Sequence, residues 1–220
     1  NPVLLAKQLA SVEQISGGRL TVGLGLGGWP EDYVASQAPQ TGRAALWETT
    51  LATMRQAWTG TLRGQSGPMS ALPEGRPALL FGGTVPPAHK RASTEGEGWV
   101  APSLGLSLLQ DGAAAVRRAW SDAGRPGQPR IVVERYFCLG AGADAIADAY
   151  IRHYYGDDFF PAVRADTLTT PDRLRSELEA LKTAGATDVI LLPASGDRAQ
   201  IGLLSATLRQ SGFLPAPDRE

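Results

Sequence analysis

The chain alternates short apolar runs with longer stretches of helical period, and that order predicts its elements. From Pro2 onward, Leu5, Leu9 and Val12 fall at i, i+4 and i+7, one stripe of a helix that Asn1-Pro2 opens and Gly17-Gly18 closes. At Leu20 the period changes to two. Leu20, Val22, Leu24 and Leu26 share one face through Gly27, and Thr21, Gly23, Gly25 and Gly27 share the other. This predicts a strand whose glycine face lies against something large. A Gly-, Pro- and aromatic-rich loop from Gly28 to Gln40 leads into a helix from Gly42 to Trp58, with Trp47, Leu51, Met54 and Trp58 on one side. Gly60 to Gly75 reads as a polar excursion.

Ala78 to Phe81 is a short apolar strand that ends in Gly82-Gly83-Thr84, and a helix follows through Pro86-Pro87. Trp99 to Ala101 reads as the next strand. A helix from Ser107 to Ala123 carries Leu109, Ala113, Val116 and Trp120 on one face and stops at Gly124. Ile131 to Leu139 is a strand, and residues 144–165 read as helical at first, then irregular and aromatic-rich. Thr170-Pro171 opens a helix with Leu174, Leu178 and Leu181, closed by Gly185. Asp188 to Leu192 is a strand, and a last helix carries Ile201, Leu204 and Leu208 before a polar tail at 215–220. Strands near 20–27, 78–82, 99–102, 131–139 and 188–193, separated by helices, predict one α/β domain over residues 1–214 with parallel pairing through right-handed crossovers. An open flavodoxin-like sheet and a barrel both fit. Gly23-Leu24-Gly25-Leu26-Gly27 lies inside the strand pattern, not at a turn into a helix, so it is no phosphate-loop fingerprint. Composition and periodicity alone leave both architectures open.

A hydrophobic share of 43% with 20% charge leaves room for a sizeable core, and a net charge of −1 without a basic stripe argues against nucleic acid or an anionic membrane as partner. Cys138, the one cysteine, sits in an apolar run and reads as a buried small hydrophobe, which excludes a disulfide within the chain and leaves no structural metal site. No run reaches the roughly 18 to 20 apolar residues of a membrane span, and no signal peptide is visible, so the expected location is the cytoplasm.

Three segments carry a resemblance. Asn1-Pro2-Val3-Leu4-Leu5-Ala6-Lys7-Gln8-Leu9, running through Ser16-Gly17-Gly18-Arg19-Leu20 into Gly23-Leu24-Gly25, resembles the third helix and fourth strand of luciferase-like monooxygenases. Gly27-Gly28-Trp29-Pro30-Glu31-Asp32-Tyr33 is similar to that family's loop after the fourth strand, and Arg43, Glu48, Leu51 and Trp58-Thr59-Gly60 to its next helix. Phe81-Gly82-Gly83-Thr84, with Ala92 and Gly96-Glu97-Gly98-Trp99 behind it, resembles the phosphate-binding fifth unit.

The resemblance implies a (β/α)8 TIM-barrel type fold with about five of the eight strands present, the N-terminal β/α units being absent. Those units would include part of the flavin platform and often a catalytic histidine. It further implies an oxidoreductase using reduced FMN, supplied by a flavin reductase, and oxygen on a small organic substrate. The alternatives are hydride transfer with a deazaflavin coenzyme, or a shortened, non-catalytic member that binds flavin or assembles with itself. Open sheet edges would call for a homodimer or another edge-covering partner.

The candidate site residues follow from the same segments. Gly82, Gly83, Thr84 and Val85 would hold a phosphate at a helix N-terminus, and by the resemblance Arg19 reaches the same phosphate. Gly25 and Gly27 would bring the backbone close to the coenzyme. Trp29 and Tyr33 would pack on its edge or line the substrate pocket. His153 and Tyr154, with Tyr155, form the one His-aromatic cluster, and a histidine there would exchange a proton near neutral pH. Glu134, Arg135 and Tyr136 interrupt a strand, so at least one faces the barrel interior, with an ion pair shaping that interior as the expected role.

Overall fold

A computed structural model describes residues 1–65, 67–69 and 76–215. The expected polar tail lies outside the described residues from position 216 on, and so does most of the second half of the 60–75 excursion. The described part of that excursion holds no helix or strand.

The elements run α1 (Pro2–Ser16), β1 (Thr21–Leu24), α2 (Pro30–Ala35), α3 (Arg43–Thr59), β2 (Ala78–Gly82), α4 (Pro86–Glu95) and β3 (Gly98–Ala101). They continue with α5 (Leu106–Asp122), β4 (Arg130–Phe137), α6 (Ala143–Ala165), α7 (Pro171–Ala184), β5 (Asp188–Pro193) and α8 (Ala199–Gln210). All pairings are parallel and the spatial order is β1-β2-β3-β4-β5. A doubly wound open sheet reverses its strand order at a switch point, whereas consecutive order is that of a barrel wall. The choice that periodicity left open therefore falls to the barrel. Among the described residues β1 and β5 each pair on one side only, so the sheet is a half-barrel with two free edges.

Alternation along the strands divides their side chains between two environments. Leu79, Phe81, Trp99, Ala101, Ile131 and Val133 point outward and pack with Leu51, Met54, Trp58, Leu109, Val116 and Leu181 from the helices. Their neighbours Leu80, Gly82, Val100, Val132 and Glu134, with Thr21 and Gly23, line the concave side. A second core of Phe137, Leu139, Leu168, Leu174 and Leu178 holds α7 against the end of β4.

Two expectations need correction. In α1 the buried positions are Ala6, Ala10 and Glu13, whereas Leu5 is 38% and Val12 48% exposed. The helix lies close on α3, where small residues permit contact: Trp58 Nε1 donates to the Ala6 carbonyl at 2.9 Å, and Glu13 turns inward to accept from the Leu20 N–H at 2.8 Å. In α6 the aromatic stretch is helical rather than irregular. Its break is confined to Gly156, whose φ of 70° and ψ of 177° interrupt the ladder between two helical segments. The loop after β1 also contains α2, favoured by Pro30 at its first position and by Glu31 and Asp32 in its first turn.

Arg130 ties the N-terminal ends of the strands together across the concave face. It bonds Asp188 through Nε at 3.2 Å and Nη2 at 2.8 Å, and Nη1 lies 3.4 Å from the Thr21 hydroxyl of β1. The hydrogen bond from Arg130 is the main cause holding the Asp188 carboxyl below its ordinary value of 3.8. A depressed carboxylate pKa contributes stability above the unfolded value that is lost as pH falls through the folded one. Asp188→Asn should therefore lower the melting temperature at pH 7, where the paired carboxylate contributes, and flatten its further fall below about pH 4. The effect should be small, because both side chains are more than a third exposed, at 41% and 37%.

Candidate functional site

The glycine face of β1 opens onto the concave side of the sheet. Thr21, Gly23, Gly25, Leu80, Gly82 and Val100 line a cavity of about 550 Å³ there. A Cβ added at Gly23 or Gly25 would meet nothing within 4 Å, and at Gly82 it would meet only backbone oxygens at 3.8 and 3.9 Å. At Gly23, Gly25 and Gly82 the floor is therefore bare backbone with space above it, which leaves room for a planar ring system.

At the C-terminal end of that floor the chain turns into α4. Gly83 makes the turn at φ 114°, and its carbonyl accepts from the buried Trp99 Nε1 at 2.8 Å. Among the described residues the N–H groups of Thr84 and Val85 and the Thr84 hydroxyl have no hydrogen-bond partner. The expected helix N-terminus contributes less than anticipated. Val85, not Thr84, is the N-cap; Pro86 and Pro87 carry no N–H; and the Ala88 N–H returns to the Val85 carbonyl at 2.9 Å. An anion here would be held by the loop donors at Thr84 and Val85, with the helix adding little beyond its dipole.

A second cavity of about 450 Å³ runs from Gly25–Gly28 to Gly82, Gly83 and Val85, and Arg91 closes one side. Arg91 is 12% exposed, sits 4.3 Å over the Trp47 ring and pairs with Glu48. It is a cation beside the loop donors that the sequence reading passed over.

Of the other predicted residues, Arg19 lies away from this cluster. It precedes β1, and Thr21 at the start of β1 pairs with Ala78 at the start of β2, so Arg19 and Thr84 stand at opposite ends of a parallel pair. Its Nε donates to the Ser16 carbonyl at 2.7 Å in an exposed setting, which makes it a turn residue in this structure. Tyr33 anchors its loop: its hydroxyl donates to the Leu26 carbonyl and its ring supports Gly27, whose φ is 72°. Trp29 goes elsewhere, into a third cavity.

That cavity, about 370 Å³, is lined by Gly28, Trp29, Pro102, Ser103, Leu104, Glu134, Tyr136, Tyr155, Phe159 and Val163. Trp29 stands 6.1 Å from each of the Tyr154, Tyr155 and Phe159 rings. The Tyr155 hydroxyl is 3.1 Å from that of Tyr136. Burial raises both phenols above their ordinary value, and for Tyr136 the hydrogen bond to Tyr155 raises it further, so both stay protonated at neutral pH.

His153 is exposed and lines none of these cavities, and Tyr154, 55% exposed, stacks edge-on against Trp29 at the rim. Tyr155 faces inward instead because it follows the fully buried Ile151 by one helical turn. The proton-bearing group on this helix that the cavity contains is therefore Tyr155.

The expected interior ion pair is separated in the same way. Adjacent strand residues face opposite sides, so Glu134 and Tyr136 look into the cavities while Arg135 points outward. Arg135 is 1% exposed, donates through Nε to Glu177 at 2.9 Å, and lies 3.9 Å from Asp166. His89 faces a further groove beside Thr84; burial lowers its pKa, and its Nε2 is buried without a partner. Cys138 is buried, and among the described residues no group of three or more His, Cys, Asp or Glu is arranged to hold a metal ion.

Fold and site together define a segment of a (β/α)8-type barrel, with two of its cavities at the C-terminal ends of the strands. The family model for luciferase-like monooxygenases matches residues 1–209, and the chain belongs to that family. Among solved structures it is similar to an F420-dependent secondary alcohol dehydrogenase in complex with an F420-acetone adduct, with a TM-score of 0.71, 17% identity, and 98% of this chain and 74% of that one covered. Monooxygenase RslO1 from Streptomyces bottropensis gives a TM-score of 0.72 at 20% identity, with 97% and 74% covered. The EDTA monooxygenase EmoA from Chelativorans gives 0.69 at 15%, with 98% and 73% covered. At such identities the likeness shows the fold. Uncharacterized proteins of Mycobacterium tuberculosis and Mycobacterium bovis are 27% identical over 142 residues, and the chain spans about half the length of these curated relatives.

Proposed function

We propose that this chain forms the coenzyme- and substrate-facing part of a luciferase-like oxidoreductase that uses reduced FMN and oxygen on a small organic substrate. The observation that carries the reading is the bare floor of Gly23, Gly25 and Gly82, running toward the unpartnered donors of Thr84 and Val85. These residues fit a flat ring with a phosphate tail. The coenzyme, when bound, supplies the redox chemistry, and the protein orients it and excludes water. The glycine backbone admits the ring, and Thr84 and Val85 hold the phosphate, with Arg91 adding positive charge nearby. Trp29, Tyr155 and Phe159 wall the substrate from solvent, and the Tyr136–Tyr155 pair holds protons at its two hydroxyls.

A deazaflavin coenzyme is the second reading, favoured by the F420-dependent dehydrogenase among the similar structures. Reduced FMN would come from a separate reductase in the cytoplasm; no helix among the described residues is long and apolar enough to cross a membrane. Homodimerisation, or another chain covering the β1 and β5 edges, belongs to the same proposal. It is supported by the exposed apolar side chains Leu4, Val12 and Ile15 on α1.

Anaerobic titration with FMN, reduced FMN and the deazaflavin coenzyme, followed by tryptophan fluorescence, tests the reading. One of the three is expected to bind at micromolar concentration and thereby select the subclass. Failure of all three at that level would overturn the proposal.

A further inference from the structure

The aromatic cavity contains one charge. Its lining is apolar, aromatic or neutral except for Glu134. The other charged groups on the concave face, Arg130 and Asp188, are occupied with each other through two hydrogen bonds. Arg135, the adjacent cation in sequence, lies on the far side of the sheet and is committed to Glu177. Among the described residues the Glu134 carboxylate has neither an ion-pair nor a hydrogen-bond partner. Its backbone carbonyl, by contrast, accepts from Ser103 at 2.5 Å, which fixes the strand where the side chain enters the cavity.

The carboxylate is open to solvent on the cavity side, so it is free to pair with a cation that enters. The residues around it also favour positive charge. Trp29, Tyr136, Tyr155 and Phe159 present ring faces and edges around the space, and aromatic faces attract cations. The two phenols stay neutral, so they neither cancel the carboxylate nor add a competing anion. An anionic substrate would meet Glu134 at close range with no cation among the described lining residues to offset it.

We propose that this cavity selects a small organic cation, an amine with an aromatic or branched apolar body, whose ammonium pairs with Glu134 while the body packs among Trp29, Tyr155 and Phe159. The assignment rests on the reading of this cavity as the substrate site, and it names the substrate class for that site. Glu134 acts here as a specificity residue.

The test uses the intact protein with 2-phenylethylamine, 2-phenylethanol and phenylacetate, compared by calorimetry at pH 7, with and without the coenzyme selected above. The amine is expected to bind at least tenfold more tightly than the alcohol, and phenylacetate more weakly than either. Glu134→Gln should bring amine and alcohol to within about twofold of each other, and Phe159→Ala should weaken all three probes together. Equal affinity for amine and alcohol in the wild-type protein, or tighter binding of phenylacetate, would overturn the inference. Because amine binding is also measured without coenzyme, its failure is distinguishable from failure of the coenzyme reading. A protein that binds coenzyme but does not prefer the amine loses only the substrate class.

Discussion

Replacing Gly25 with valine is expected to leave the melting temperature within about 2 °C of the wild type and to weaken coenzyme binding at least tenfold, about 1.4 kcal/mol. The two halves of this result come from one geometric fact. A Cβ at position 25 meets no atom within 4 Å, so the folded protein has room for the new side chain. The same room is the space assigned to the coenzyme ring, which a branched side chain would occupy. Gly112→Ala is the instructive contrast. There a Cβ would come within 2.2 Å of the Trp99 ring, in the packed layer between α5 and the sheet. That change should cost about 1 to 3 kcal/mol of stability through overpacking, with any loss of binding following from the lost fold. If Gly25→Val binds coenzyme as the wild type does, the floor is not the ring site.

Arg135→Ala is expected to produce the largest loss of stability, on the order of 3 kcal/mol, because it strips one partner from a buried ion pair. The guanidinium is 1% exposed and joins β4 to α7 through Glu177 at 2.9 Å, with Asp166 at 3.9 Å. Its Nη1 also donates to the Glu134 backbone carbonyl at 3.0 Å, while Nη2 is buried without a hydrogen bond. Alanine would leave a cavity and two carboxylates facing it. For a chain of this size the melting midpoint should fall by roughly 6 to 12 °C. The double change Arg135→Met with Glu177→Met should recover most of that loss, since apolar groups of similar volume can replace a buried pair at little cost. Urea and thermal denaturation of the three proteins would check both statements. A fall no larger than a surface substitution gives, about 0.5 kcal/mol, would show that the pair does not hold α7.

Much of this architecture is written locally. The change from helical to twofold period at Leu20 marks β1, and the same alternation puts Thr21, Gly23 and Gly25 on one face, so the glycine floor of the cavity is legible in the sequence. Strand order was not, because local periodicity is identical in an open sheet and a barrel; only the consecutive pairing distinguishes them. Side chains that depend on distant partners were likewise hidden. Arg91 finds Glu48 from 43 positions away, and Ala6 is buried because Trp58, 52 positions on, reaches its carbonyl. Other signals were present in the sequence and outweighed. The one-turn spacing of Ile151 and Tyr155 points Tyr155 inward, whereas the clustering of His153 with the tyrosines carries no information on which of them faces the cavity. Arg19 stands before β1, and strand polarity alone places it at the end away from Thr84.

Under the proposed function a coenzyme ring lies over Gly23, Gly25 and Gly82 with its phosphate at Thr84 and Val85. A crystal structure of the protein with the bound coenzyme tests it most directly. Ring atoms are expected in van der Waals contact with those three glycines, and phosphate oxygens within hydrogen-bond distance of the Thr84 and Val85 N–H groups. A ring seated elsewhere, or a phosphate bound at the Arg19 end of β1, would contradict it.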